Sequence, residues 1–378
     1  MGTDVTSEMG QWEAIEAVLP EGWREMEKAY GLIRPQPPQL KAKVDDIGKL
    51  LRLVFYHVAG NTALVITTGA FAAAGLIQIS GVALHKWMIK IGPYLAELTA
   101  QMTRDDATFA PERWASYVAK AADATTVTRP GATGTTARLH TSLRLSDLRV
   151  DQVHVTDETG GETLRRFEIA EDELWILDRG YANPPGIAHA KAGNAEVLVR
   201  YNRGALPLYD SSGNELDVWA KLAELRNPLD AGEWQACVHP KGDKPISGRL
   251  CAIRLPPEKA AEARARLRKE QGAAVTPDSL AMAEFVVLFT TVPPERLSTT
   301  LIIELYRLRW QIELSYKRDK SIAGLDKLPN FRPDTISSWL QAKMLLLQIT
   351  RKLATPGVAF PPGALARHIL APSHALAA

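Results

Sequence analysis

A run of polar side chains late in the chain has the types and spacing that phosphate chemistry would use. It reads YRLRWQIELSYKRDK and begins at Tyr306. On a continuous α-helix, five of its ionisable side chains would lie along one edge, and all of them except Lys317 would fall within an arc of about 60°. These side chains are Tyr306, Arg309, Glu313, Lys317 and Lys320. The neighbouring stripe is apolar and predicts a buried face, formed by Leu301, Leu305, Leu308, Ile312 and Tyr316.

Two interpretations of the polar edge stay open from this helix alone. Arg309–Glu313 and Glu313–Lys317 are i, i+4 pairs, and each such pair stabilises a solvated helix by about 0.2–0.5 kcal/mol. The alternative is a surface that holds one carboxylate against a polyanion, because the excess of positive charge suits a phosphate backbone.

Two aspartates elsewhere in the chain are further candidates. Asp178 follows the β-prone run in WILDRGY and precedes an Arg-Gly turn. A carboxylate at the C-terminal end of a strand points into the crevice where open α/β sheets build their sites, although an Asp there can equally cap or turn the chain. Asp123, in the strand-like run AADATTV, is uninformative by itself.

The elements that must position these residues follow a mixed α/β pattern. From residue 111, β-prone runs separated by Gly and Pro predict the order β-β-β-α-β-α-β, with GETLRRFEIA as one of the helices. The later predicted elements are strands within 205–257 and 283–292 and helices at 258–271, 297–320 and 334–354.

The N-terminal part of the sequence predicts a helical region. Residues 11–30 have an amphipathic helical pattern, and RPQPPQ after them is typical of a linker. Residues 53–85 contain no Lys, Arg, Asp or Glu, which suggests either short buried helices or, as a rival, a membrane-associated protein. Residues 67–88 resemble a helix-turn-helix with Gly75 at the turn, which either binds DNA or is structural.

Composition sets broad limits on function. The formal net charge is +2, which is short of the strongly basic balance of many DNA-binding domains, although residues 1–30 hold seven acidic and two basic residues and leave the remainder mildly basic. Cys237 and Cys251 are too few for a zinc cluster or a disulfide framework, so a reducing, intracellular setting is expected.

Taken together, these motifs resemble a known family. The spacing Tyr-x2-Arg-x3-Glu-x6-Lys is similar to the Y-R-E-K signature of bacterial insertion-sequence transposases, the group named after insertion sequence four. DATT and LDRGY resemble the two aspartate motifs of that group. RLHTSLRL, GGETLRRF, VLVRYN and LFTTVPPE add to the resemblance, which extends over roughly residues 45 to 350.

The resemblance implies an RNase H-like catalytic domain of the DDE class, with a mixed sheet flanked by helices. Asp123, Asp178 and Glu313 would be the catalytic acids and would bind two Mg²⁺ or Mn²⁺ ions, which prefer hard oxygen ligands. Tyr306, Arg309 and Lys320 would hold DNA beside them, as would Lys317. Weaker DNA-binding candidates are Arg200 and Asn202 at the end of a strand.

Three other side chains receive an expectation of their own. In related enzymes a Trp of the inserted β domain can stack on a flipped base, and Trp219 and Trp234 are the candidates here, although a core Trp is the more common outcome. His140 is expected to be structural.

The resemblance also predicts how the chain is divided. The predicted segments are an N-terminal helix with its linker (1–40), a helical region (41–110), the first part of the catalytic core (111–203), a β-rich insertion (204–295), the second part of the core (296–355) and an irregular tail (356–378).

The implied partners are double-stranded DNA, as terminal inverted repeats and as target, and further copies of the chain in a synaptic dimer or larger assembly. We expect a bacterial cytoplasmic, nucleoid-associated protein that is not in a membrane. The alternative is a transposase-derived DNA-binding or regulatory protein that no longer cleaves DNA.

Overall fold

The computed structural model describes residues 9–33, 44–105, 116–326, 328 and 333–354. Its centre is one eight-stranded mixed sheet in the order β3-β2-β1-β4-β5-β8-β7-β6. The strands are β1 (Val118–Val127), β2 (Ala137–Arg144), β3 (Arg149–Asp157), β4 (Glu173–Leu177), β5 (Glu196–Arg200), β6 (Ala231–Val238), β7 (Ile246–Arg254) and β8 (Phe285–Thr290).

The first five strands form the part of the sheet that carries the candidate acids. β1, β2 and β3 are an antiparallel meander, whereas β4 pairs parallel with β1 and β5 pairs parallel with β4. β4 and β5 are apolar and buried almost throughout, as expected for parallel strands covered on both faces. This arrangement confirms the predicted mixed α/β, RNase H-like fold.

The remaining three strands extend that same sheet. β8 pairs antiparallel with β5, and β7 and β6 continue outward as antiparallel neighbours. Buried Arg249 of β7 holds this extension to the chain that follows β8, because its guanidinium donates to the carbonyl oxygens of Val292, at 2.9 Å, and of Leu297.

Twelve helices surround the sheet in the described residues. They are α1 (Met9–Val18), α2 (Trp23–Tyr30), α3 (Ile47–Gly60), α4 (Leu64–Ala73), α5 (Gly81–Asp105), α6 (Pro184–Ala192), α7 (Val218–Ala223), α8 (Pro257–Gln271), α9 (Pro277–Met282), α10 (Thr299–Arg307), α11 (Trp310–Ala323) and α12 (Ile336–Ala354). α12 packs on α5 and α3, so the N-terminal helices and the sheet share one core.

The prediction of one continuous helix over 297–320 is wrong. The chain instead forms α10 and α11, joined by a tighter turn in which Leu308 N–H donates to the Leu305 carbonyl and Arg309 N–H to the Tyr306 carbonyl. These i to i−3 bonds rotate the chain further per residue than an α-helix does. The buried stripe is nevertheless confirmed for Leu305, Leu308 and its C-terminal members.

Two other predicted helices are also different in the structure. The helix predicted over residues 11–30 is divided into α1 and α2, because Pro20 and left-handed Gly22 (φ 74°) interrupt it. GETLRRFEIA contains only a short 3₁₀ turn, since the Gln152 side chain hydrogen-bonds both the N–H and the carbonyl of Glu168 and holds that segment extended beside β3.

The uncharged N-terminal stretch is divided among α3, α4 and α5. Gly75 lies in the turn between α4 and α5 with a φ of 68°, and Ser80 caps the second helix by accepting from Ala83 N–H. No helix among the described residues is long and apolar enough to cross a membrane. The predicted linker and the tail 356–378 lie outside the described residues, and the predicted segment boundaries remain predictions.

Candidate active site

The two aspartates end up side by side because their strands are parallel neighbours. Ala122 of β1 is paired with Leu177 of β4, Asp123 is the next residue within β1, and Asp178 is the first residue after β4. The carboxyl ends of parallel strands meet at one edge of a sheet, where side chains can form a site. The sequence prediction that both strands deliver an acid is therefore matched by their positions.

Tyr306 and Arg309 reach the same edge from the turn between α10 and α11. The Tyr306 hydroxyl donates to Asp178 Oδ1 at 3.2 Å, and Arg309 Nη1 lies 4.0 Å from Asp178 Oδ2. Both side chains are largely buried, with the Arg309 side chain 13% exposed. The signature residues thus contact a carboxylate that is far from them in sequence.

Glu313 joins the site through the same guanidinium. Arg309 Nη2 donates to Glu313 Oε1 at 2.5 Å, while the Glu313 side chain remains 44% exposed. One arginine therefore contacts both Asp178 and Glu313. In this structure Arg309 is turned toward carboxylates, whereas the sequence analysis expected it to face DNA, and its role on DNA remains a prediction.

The two aspartates have different electrostatic environments. Burial raises the pKa of the Asp123 carboxyl to about 7, although the Ala124 N–H that it accepts at 2.8 Å and nearby Arg309 oppose this shift. Burial acts on Asp178 as well, but Arg309, the Arg179 N–H, Arg200 and the Tyr306 hydroxyl together outweigh it and hold the pKa of that carboxyl below its usual value. Carboxyl groups whose pKa values are shifted in opposite directions by burial and by a specific charged partner are common at functional sites.

A buried hydroxyl fixes α11 against the strand that carries Asp123. Tyr316 lies one turn after Glu313, and its hydroxyl is 2.9 Å from the Asp123 carbonyl and 3.2 Å from the Leu139 carbonyl. The Thr141 hydroxyl donates to it at 2.7 Å. Sequence analysis assigned Tyr316 only to the apolar stripe, because a periodic pattern contains no information about a hydroxyl's partners.

A cleft of about 420 Å³ opens beside Asp178, between the ends of β4 and β5 and helices α8 and α9. It is rich in arginine and contains two of the predicted DNA-binding residues, Arg200 and Asn202, and one of the two candidate tryptophans, Trp219. Its other basic lining residues are Arg179, Arg203 and Arg266, none of which the sequence analysis selected.

The other predicted residues lie elsewhere. Lys317 is exposed and Lys320 half-buried on α11, and neither makes an ion pair with another described residue. Trp234 is on β6, where its indole N–H donates to Glu224 at 3.0 Å, away from the cleft. His140 is buried in β2 beside Thr156, which agrees with the structural role expected for it.

Comparisons with known proteins agree with this geometry. A family model described as "Transposase DDE domain" matches residues 114–349. The chain belongs to the transposase DDE domain family. It is 30% identical over 331 residues to "Transposase for insertion sequence element IS421" of Escherichia coli, which covers 85% of this chain and 89% of that protein.

A second relative is similar to the same extent. The chain is 29% identical over 330 residues to "Putative transposase InsL for insertion sequence element IS186A" of Escherichia coli strain K12, covering 85% of this chain and 89% of the relative. A solved piggyBac transposase, in a synaptic complex with hairpin DNA, aligns at 8% identity and a TM-score of 0.39 over 95% of this chain and 83% of that one, too low to support an argument.

Family membership confirms the predicted identity and activity. The protein is a transposase of the insertion-sequence type, an enzyme that cleaves and transfers DNA strands in transposition. Enzymes of the DDE family generally use divalent metal ions, and carboxylate oxygens are the ligands that such hard cations prefer.

The positions of the acids show whether they could bind a divalent ion. Among the described residues, no three His, Cys, Asp or Glu side chains converge closely enough to form a finished metal site. However, the Arg309 guanidinium already places a cation between Asp178 and Glu313, at 4.0 Å and 2.5 Å. The carboxylate oxygens are suitable ligands for a divalent cation, and the position of the Arg309 guanidinium shows that two of the acids can share one positive charge.

Proposed function

We propose that this transposase binds the terminal inverted repeats of its insertion sequence, cleaves the DNA at their ends and joins the freed 3′ ends to target DNA. The observation that carries the proposal is the Arg309 guanidinium. It contacts Asp178 and Glu313, and its charge also acts on Asp123, which supports a shared site for three acids that are far apart in sequence.

Asp123, Asp178 and Glu313 would hold the divalent ions, Mg²⁺ or Mn²⁺, two per site. When bound, such ions activate the attacking water or 3′-hydroxyl and stabilise the leaving oxygen of an in-line phosphoryl transfer. Asp178 is held in place for this role by the Tyr306 hydroxyl, and Asp123 by the backbone of β1.

The arginine-rich cleft is the best candidate for the path of the DNA backbone. Arg179, Arg200 and Arg266 line it, and Asp178 lies at one end. Clustered guanidinium groups bind phosphates and contribute sequence-independent affinity that depends on salt. Trp219 lies in the same cleft, so it is preferred to Trp234 as the side chain that stacks on an unpaired base.

Further parts of the proposal concern assembly and recognition. Lys317 and Lys320 lie on α11 without ion-pair partners among the described residues and are available to a phosphate. Cleavage at two element ends requires two active sites, so we propose a synaptic dimer or larger assembly on DNA. The α4–α5 unit remains the candidate for reading the repeat.

The proposal is tested with labelled DNA that carries the element's ends, incubated with the full chain and Mg²⁺. Asp123→Asn, Asp178→Asn and Glu313→Gln should each remove end cleavage while leaving the unfolding temperature and end binding close to wild type. Asp243→Asn, at an exposed position outside the site, is the matched control and should cleave normally.

The outcomes are distinct. Normal cleavage by Asp178→Asn would refute the assignment of the site. A second result is that the wild type binds the element's ends specifically and cleaves them with none of the divalent ions tried. That result would favour the alternative of a transposase-derived DNA-binding protein that no longer cleaves DNA.

A further inference from the structure

A fourth acidic side chain reaches the site from the loop between β3 and β4. Glu162 is half-buried there, and its carboxylate lies against Gly180, two residues after Asp178. A Cβ on Gly180 would be 2.8 Å from the Glu162 carboxyl carbon and would overlap Oε2. The carboxylate thus occupies the space that any larger residue in the Asp-Arg-Gly turn would fill.

The position of Glu162 is not explained by a structural role. Its carboxylate makes no hydrogen bond or ion pair with any described residue, although a half-buried carboxylate usually has such a partner. By contrast Glu173, the buried acid at the start of β4, pairs with Lys120 and accepts from the Trp175 indole. Glu162 therefore lies near the proposed catalytic acids without a hydrogen-bond or ion-pair partner among the described residues.

Besides lying against Gly180, Glu162 is close enough to Asp123 and Asp178 to affect their charges. Burial and then Asp178 raise the pKa of the Glu162 carboxyl, while Arg138 and Arg309 oppose them. Glu162 in turn raises the pKa of Asp123, and it does so more strongly than Asp178 does. Mutual repulsion among three carboxylates is relieved when they share a cation.

We propose that the Glu162 carboxylate is a fourth acidic ligand of the transposase's divalent metal site, and that Gly180 lacks a side chain because this carboxylate must lie against it. The inference rests on the proposed function, since it assumes that the acids at this edge of the sheet bind the catalytic ion. It assigns to the glycine of the LDRGY motif a role in metal binding rather than in backbone conformation.

The structure supplies two independent ways to disturb this carboxylate. Glu162→Gln keeps the shape and removes the charge. Gly180→Ala keeps the charge and displaces the carboxylate, because the overlapping atoms are the far end of a flexible side chain. Gly180 does not have a positive φ, so alanine is compatible with its backbone.

The experiment measures Mn²⁺ binding to the full chain without DNA, by titration with electron paramagnetic resonance of free Mn²⁺. Glu162→Gln and Gly180→Ala should each weaken the tightest Mn²⁺ binding by about tenfold, within the range seen when a metal site loses a supporting group. Glu158→Gln, an exposed acid in the same loop, is the matched control and should bind as wild type does.

A double variant makes the test specific. Once Glu162 is replaced by Ala, the space beside residue 180 is empty, and adding Gly180→Ala should cost no further Mn²⁺ affinity. Additive losses from Glu162→Ala and Gly180→Ala would overturn the proposal, because they would mean that Gly180 acts through something other than this carboxylate. Thermal unfolding of each variant excludes a loss of folded protein.

Asp178→Asn separates this inference from the proposed function. If Asp178→Asn weakens Mn²⁺ binding and Glu162→Gln does not, Glu162 is not a ligand and the inference fails alone. If neither variant changes Mn²⁺ binding, the metal site itself is wrongly assigned and both fail.

Discussion

Tyr316→Phe is the most informative single substitution outside the group of acids. The Tyr316 side chain is buried, and its hydroxyl connects α11 to β1 and β2. It accepts from the Thr141 hydroxyl at 2.7 Å and donates toward the Asp123 carbonyl at 2.9 Å. Removing the oxygen leaves a buried donor and a buried acceptor without this partner.

The magnitude follows from those two bonds. Each contributes about 1 kcal/mol net, so the free energy of unfolding should fall by about 2 kcal/mol. For a chain of 378 residues, with an entropy of unfolding of about 2.1 cal/mol/K per residue, that corresponds to a decrease of about 2–3 °C in Tm. Because the lost bond holds the strand of Asp123 against the helix of Glu313, end cleavage should also slow, by roughly tenfold to a hundredfold.

Tyr181→Phe is the matched control. Tyr181 is fully buried close to the same site, but its hydroxyl has no hydrogen-bond partner in the described part of the chain. Its removal should leave the free energy of unfolding unchanged or slightly increased. Urea unfolding measures the free energy of unfolding of both variants. An equal decrease in the two variants, or no decrease in Tyr316→Phe, would refute the reasoning.

Four other outcomes are expected. Arg309→Gln should tighten Mn²⁺ binding in direct titration, since the guanidinium competes for two acids, whereas looser binding would contradict this. Lys320→Ala should reduce the log–log salt slope of end binding by roughly one, and an unchanged slope means no phosphate contact. Trp219→Ala should impair end cleavage more than Trp234→Ala, and equal effects would argue against stacking in the cleft. Burial lowers the pKa of the His57 imidazole from 6.5 to about 4. The free energy of unfolding should therefore decrease by about 3 kcal/mol as the pH falls from 6.5 to 4, because the unfolded chain binds a proton that buried His57 does not. Urea unfolding across that range should find a weaker pH dependence in His57→Asn.

The sequence predicted the catalytic sheet well because the signals there are local. The apolar run of β4 ends just before Asp178, and Asp123 was selected by the resemblance of DATT to a known motif, whereas the parallel pairing that brings the two acids together is seen only in the structure. The helix after α11 was likewise predicted from its apolar period. These features depend on periodicity and on strand ends, which a single sequence contains.

The turn inside the signature could not be predicted in the same way. Residues 308–309 contain no Gly or Pro to indicate a break between α10 and α11. The i to i−3 bonds there accompany contacts to Asp178, which lies well over a hundred residues earlier. The sequence analysis did not select Glu162 for a related reason. A single acid in a loop has no periodic pattern, and its position against Gly180 is seen only in the structure.

The inward position of Arg309 and its expected role on DNA are compatible if cations compete for the acids. The guanidinium contacts both Asp178 and Glu313, and without such a cation the mutual repulsion of these acids would be unscreened. Asp178 and Glu313 would be compensated by a divalent ion if their oxygens held one, and the contact with Arg309 would then no longer be needed. Arg309 would then be a cation within reach of the site and without a carboxylate partner, which is the condition for binding a phosphate. On this argument Arg309 would compensate the acids when no divalent ion is bound and would contact the substrate when one is. Arg309→Gln should therefore tighten Mn²⁺ binding and weaken DNA binding.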